Sequence, residues 1–74
     1  MAMITIISTP TPAEAALNAR LSRMSLAECQ DVARQSYALA CNGDDNAGIV
    51  NDFAMARLAQ IMGDSEFIAF CESL

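Results

Sequence analysis

The sequence predicts an all-α fold, a small bundle of three to four short helices. Two capping-box motifs begin helices, and apolar residues recur at helical spacing after them. Hydrophobic residues make up 54% of the chain and charged residues only 18%, which argues against intrinsic disorder. At 74 residues the chain is expected to contain one helical domain, residues 11–74, preceded by an N-terminal arm, residues 1–10.

The first two helices are expected where a hydroxyl residue is followed three positions later by glutamate. Thr11 and Glu14 form one such pair, and Ser25 and Glu28 form the other. In this motif the hydroxyl accepts a hydrogen bond from the third helical amide, and the glutamate carboxylate accepts one from the amide of the cap. The helices that follow are expected over residues 12–23 and about 26–41.

A short turn separates the second helix from a third, over about 46–62. Asn42 and Gly43 are typical of a helix C-terminus, because both tolerate the left-handed conformation. The apolar face of the second helix includes small side chains that let a facing helix come close. The pattern predicts a central antiparallel hairpin of residues 26–41 and 46–62. Its candidate packing or self-association residues are Ala33, Ser36, Ala40, Val50, Phe53 and Leu58.

The third helix is apolar on nearly all sides, and such a helix is normally buried on several of them. Gly63 ends it, Asp64 or Ser65 is expected to cap a fourth helix over about 65–73, and few other elements remain to cover it. This shortage predicts a homodimer that completes the bundle, or a protein partner.

The first ten residues include Thr5, Ile6 and Ile7, which have strand propensity but no second strand to pair with. They are expected to be either a flexible arm or an edge that pairs only in an oligomer. The arm lacks the basic start of a signal peptide, and no stretch approaches the ~20 apolar residues that span a membrane. A soluble, cytoplasmic protein with no membrane association is expected.

The net charge of −5 is carried entirely by the second half of the chain, residues 35–74. A phosphate backbone repels such a surface, so direct nucleic-acid binding is not expected, whereas a partner with a basic surface is favoured. A DNA mimic, in which carboxylates take the positions of phosphates, is an alternative. The candidate partner-binding residues are Asp44, Asp45, Asp52, Arg34 and Tyr37.

The composition excludes several kinds of chemistry. The chain has no histidine and no lysine, so histidine bases, histidine metal ligands and Schiff-base lysines are absent. Cys29, Cys41 and Cys71 form no CxxC pair and are expected to be small, buried, unpaired side chains in a reducing compartment. No enzyme activity, metal or cofactor is expected.

The resulting functional hypothesis is a small acidic protein-binding module that acts as an inhibitor or adaptor of a larger protein or complex. Abundant alanine, with arginine but no lysine, is compatible with a GC-rich bacterial or bacteriophage genome, and so with an accessory protein. Two alternatives stay open. The chain could form a helical oligomer that sequesters a small ligand, or serve as a structural subunit of a larger assembly.

Overall fold

The computed structural model describes residues 11–74, and the expected N-terminal arm lies outside the described residues. Within residues 11–74 the chain forms four α-helices and no strand. The all-α prediction is therefore confirmed, and each predicted helix agrees with an observed one to within one residue at either end. The helices are α1 (Pro12–Arg23), α2 (Leu26–Cys41), α3 (Asp45–Ile61) and α4 (Asp64–Glu72).

Both capping boxes are present and fix where α1 and α2 begin. The Thr11 hydroxyl accepts from the Glu14 amide at 3.2 Å, and the Glu14 carboxylate accepts from the Thr11 amide at 3.0 Å. The corresponding distances for Ser25 and Glu28 are 3.2 and 2.9 Å. Each box satisfies two of the amides that a helix N-terminus leaves without an intrahelical partner.

Three residues connect α2 to α3 and reverse the chain. Gly43 has a φ of 96°, a left-handed conformation that glycine adopts without a steric penalty. The Asp44 amide donates to the Leu39 carbonyl at 3.1 Å, which closes the end of α2. The Asp44 carboxylate then accepts from the Ala47 amide at 3.0 Å and caps α3. One residue thus ends the first helix of the hairpin and begins the second.

Contacts along the hairpin show that α2 and α3 are antiparallel. Near the open end, the Gln30 side-chain amide lies 3.9 Å from the Met62 sulfur. Midway along, the Asn51 side chain donates to the Ser36 hydroxyl at 3.2 Å. The sequence separation of these pairs falls from 32 to 15 residues toward the turn, as it does between antiparallel helices. The predicted central hairpin is confirmed.

Helix α4 begins differently from the other three. Gly63 is its N-cap and supplies no side-chain hydrogen bond. The expectation that Asp64 or Ser65 caps this helix is wrong, because Asp64 already belongs to its first turn. Both acidic residues of that turn, Asp64 and Glu66, are favoured at the positive end of the helix dipole.

The core lies between α2 and α3, and each outer helix adds one buried side chain and further partly buried ones to it. Helix α3 contacts each of the other three helices, which accounts for its apolar residues on several sides. Ala33 and Ala54 are completely inaccessible, and their small size allows the close approach of the helices around them. The buried core cluster is Leu21, Cys29, Ala33, Ala54, Leu58 and Phe70.

Candidate interaction surface

A groove between α1 and the first half of α3 has a volume of about 450 Å³. Each wall starts at a capped helix N-terminus, since α1 begins at the Thr11 box and α3 begins at the Asp44 cap. The groove opens to solvent. Its lining residues are Thr11, Ala13, Glu14, Leu17, Asn46, Ile49 and Val50.

A second groove, of about 270 Å³, lies between α2 and the same half of α3. Asn46 and Val50 line both grooves and are one helical turn apart on α3. The two grooves therefore adjoin along α3 and form one continuous surface, which we call the twin-groove surface. The second groove is lined by Val32, Gln35, Ser36, Leu39, Asp44, Asn46, Ala47 and Val50.

Large aliphatic side chains are exposed on the twin-groove surface. Leu39 in the second groove is 51% exposed, and Ile49 in the first is 46% exposed. Leu17, Val32 and Val50 beside them are half-buried. Apolar side chains gathered in this way, rather than scattered singly, are typical of a protein or ligand contact.

The charges on the twin-groove surface are all negative. Glu14 lines the first groove and Asp44 the second, and no arginine lines either groove within residues 11–74. The Glu14 hydrogen bond to the Thr11 amide and the Asp44 hydrogen bond to the Ala47 amide each use one carboxylate oxygen. Because a carboxylate has two acceptor oxygens, each can still accept from a binding partner.

Of the three candidate aspartates, only Asp44 lies on the twin-groove surface. Asp45 and Asp52 are exposed on α3 and line neither groove. The contribution of these two residues to partner binding stays a prediction.

Arg34 and Tyr37 lie on α2 and line neither groove. The Arg34 guanidinium lies 3.4 Å from the Asp31 carboxylate and 5.1 Å from the centre of the Phe70 ring. The contact with Phe70 links α2 to α4, since a cation over an aromatic face is attracted to it, whereas Asp31 lies on α2 itself. Tyr37 is 42% exposed and so accessible to a partner.

The candidate packing residues have different surroundings. Ala33 and Leu58 are completely buried in the core, and Ser36 is 5% exposed and bonded to Asn51. Three others, Ala40, Val50 and Phe53, are half-buried. Val50 differs from the rest because it lines both grooves. Self-association through any of these residues stays a prediction.

The cysteines do not share one environment. Cys29 is buried and its thiol donates to the Leu21 carbonyl at 3.6 Å, whereas Cys71 is half-buried. Cys41 is exposed near the C-terminus of α2, so the expectation of a buried side chain is wrong there. Within residues 11–74, no three cysteine or carboxylate side chains are grouped so that they could hold a metal ion.

None of the four described helices is both long enough and apolar enough to cross a lipid bilayer. No protein-family model, curated protein or solved structure matches this chain.

Proposed function

We propose that this chain is a small acidic protein-binding module, an inhibitor or adaptor of a larger protein, and that the twin-groove surface is its contact site. The observation that carries the proposal is the exposure of Leu39 and Ile49 on adjoining grooves. Covering these side chains with a partner removes apolar area from water, which is the main favourable contribution to most protein association.

The small size of the chain supports the same proposal. Cores of chains below about 70–80 residues rarely supply more than about 3–5 kcal/mol, and such chains are often completed by a partner. Helix α3 contacts three neighbours and still leaves Ile49 and Ile61 partly exposed. Binding of a larger protein would therefore stabilise the fold by mass action as well as occupy the surface.

The proposal includes a cytoplasmic location in a bacterium or bacteriophage-infected cell, no enzyme activity and a homodimer. Three unpaired cysteines suit a reducing compartment, and the absence of histidine and lysine removes common catalytic groups.

Ile61 and Ile68 are 40% and 57% exposed and line neither groove. Self-association through them would leave the twin-groove surface free for another protein.

The test is capture of the partner from a lysate of the bacterial host with the tagged full chain and matched surface variants. Leu39→Ser together with Ile49→Ser alters the twin-groove surface at exposed positions. Leu26→Ser is the control, because it removes an exposed aliphatic side chain that lies outside both grooves. We expect one protein to be retained in stoichiometric amount by the wild type and by Leu26→Ser, and lost with the double variant.

Two outcomes contradict the proposal in different ways. Equal retention by all three proteins would place the contact outside the twin-groove surface. Retention of no protein, together with a small molecule found by mass spectrometry of the purified chain, would favour the ligand-sequestering alternative.

A further inference from the structure

We infer that the twin-groove surface binds an amphipathic helix that carries arginine or lysine beside its apolar side chains, with these cations contacting Glu14 and Asp44. The inference rests on the proposed function, since it specifies the chemistry of the partner that the same surface binds.

The secondary structure of the surface favours a helical partner over an extended one. The twin-groove surface is built from α1, α2 and α3 and presents no strand edge within the described residues. An extended segment that binds by strand addition needs such an edge to pair its amides and carbonyls. A helix satisfies its own backbone hydrogen bonds and offers apolar side chains at three- and four-residue spacing.

The shape of the surface suits the rows of side chains on a helix. Asn46 and Val50 separate the grooves and belong to one i, i+4 row of α3. Helices pack by placing such a row into the groove between two rows of the partner. A partner helix that straddles this row would place apolar side chains against Leu17 and Ile49 on one side and Leu39 on the other.

The charge of the surface selects a cationic partner. Glu14 and Asp44 are the only ionisable side chains that line the grooves within residues 11–74, and each groove has one of them. An acidic helix would place like charges beside both carboxylates, whereas arginine or lysine would meet an oxygen that the caps leave available. Both carboxylates contact solvent, so each ion pair contributes modestly, and together they should change affinity about three- to tenfold.

The test is selection from a displayed library of randomised helical peptides, panned in parallel against three forms of the full chain. These are the wild type, the groove variant Glu14→Gln/Asp44→Asn, and the control variant Glu66→Gln/Glu72→Gln. Glutamine and asparagine can still cap helices, so the groove variant loses charge without losing the N-terminal caps. The control loses the same net charge at exposed positions outside both grooves.

We expect the wild type and the control to enrich peptides with an apolar face flanked by arginine or lysine. The groove variant should not enrich the cations. A selected peptide should bind the groove variant about three- to tenfold more weakly than the other two forms at low salt, with the difference shrinking at moderate salt.

Several results would overturn the inference. Selected peptides without enriched cations, or equal weakening by groove and control variants, would show that local charge does not select the partner. Selection of no peptide would show that the surface does not bind helices.

If ultracentrifugation shows a dimer that Val50→Glu dissociates, a second copy occupies the surface. If full-chain Ile4→Asn/Ile6→Asn binds peptides that the wild type does not, residues of the N-terminal arm occupy it.

Failure of the inference is distinguishable from failure of the proposed function. Suppose that a lysate protein is lost with the Leu39→Ser/Ile49→Ser variant but binds Glu14→Gln/Asp44→Asn as tightly as the wild type. That result would support the proposed binding module and contradict the inference of a cationic helix. Loss of both lysate capture and peptide selection removes both.

Discussion

The side-chain amide of Asn51 on α3 donates a hydrogen bond to the Ser36 hydroxyl on α2, 3.2 Å away. The same amide donates to the Ala33 carbonyl at 2.9 Å, and the Ser36 hydroxyl donates to the Val32 carbonyl at 2.7 Å. The two bonds from Asn51 cross the interface between α3 and α2 beside the completely buried Ala33. They fix the register of the hairpin, because sliding α3 by one turn would bury the Asn51 amide without its partners.

Asn51→Ala should therefore lower the free energy of unfolding by about 1–3 kcal/mol, because it removes two hydrogen bonds and leaves Ser36 without its donor. Urea denaturation followed by circular dichroism measures this change. Asn18→Ala is the control, since Asn18 is exposed on α1. A loss no larger than that of the control would contradict the register role.

A double-mutant cycle separates the Asn51–Ser36 bond from the effects of the single changes. Ser36→Ala and Asn51→Ala remove the same contact, so the double variant should lose less stability than the sum of the two single variants. We expect a coupling energy of about 0.5–1.5 kcal/mol from the same urea curves. Strict additivity would show that the two side chains do not act together.

Ala33→Leu should destabilise the hairpin more than Ala38→Leu does. Ala33 is inaccessible between α2 and α3, and three extra heavy atoms there would force the helices apart, at a cost of about 1–3 kcal/mol or more. Ala38 lies on the same helix but is exposed, so Ala38→Leu has the same composition as Ala33→Leu and should change the stability little. Thermal melting measures both variants, and equal midpoints would refute the close approach at Ala33.

Local signals in the sequence were sufficient to predict the helices and the hairpin. The Thr11 and Ser25 capping boxes each involve only four consecutive residues, and Gly43 ends α2 within a single turn. These features can therefore be recognised without knowledge of distant packing. The role of Asn51 could not be predicted in the same way. It is one of several polar residues on an apolar helix, and only the register of α3 against α2 decides which of them faces Ser36.

The candidate site was less predictable than the fold. Ile49 reads as one apolar residue among many on α3, and its exposure depends on where α1 lies against that helix. Glu14 is explained by its capping box alone, so nothing in the sequence marks it as part of a groove. Of the five candidate partner-binding residues, the structure brings only Asp44 to the twin-groove surface, because helical periodicity does not say which faces of a bundle stay open.

The stability of the α2 N-terminus should depend on the ionisation of Glu28. Its pKa is lowered from 4.5, chiefly because the Ser25 backbone amide donates to the carboxylate and secondly through the Ser25 side chain. A group with a lowered pKa in the folded state contributes stability above its unfolded pKa and loses it as the pH falls through the folded value. The stability that Glu28 contributes should therefore be lost as the pH decreases below about 4.5.

Carbon-detected NMR titration of the Glu28 carboxyl in the folded chain and in urea measures this directly. The folded midpoint should be the lower one, and Glu28→Gln should remove this part of the pH dependence while keeping the capping box. Coincident midpoints in the two states would contradict the hydrogen bond as the cause.

Thiol labelling should distinguish Cys41 from Cys29 in the native chain. Cys41 is exposed, so in the Cys29→Ala/Cys71→Ser variant a thiol reagent should react at nearly the rate measured in urea. Cys29 is inaccessible and bonded to the Leu21 carbonyl, so in the Cys41→Ser/Cys71→Ser variant labelling requires opening of the core. With a stability of about 3–5 kcal/mol, that opening should slow labelling by a factor of about 10²–10⁴.

Adding Asn51→Ala to the variant that retains Cys29 links this protection to the hairpin. If separation of α2 and α3 exposes Cys29, each 1.4 kcal/mol lost at Asn51 should accelerate labelling about tenfold, with no change for Cys41. Acceleration of both thiols to the same degree would instead indicate a change in reagent access or thiolate fraction. Unchanged protection of Cys29 would show that it opens through a local motion that leaves the Asn51–Ser36 contact intact.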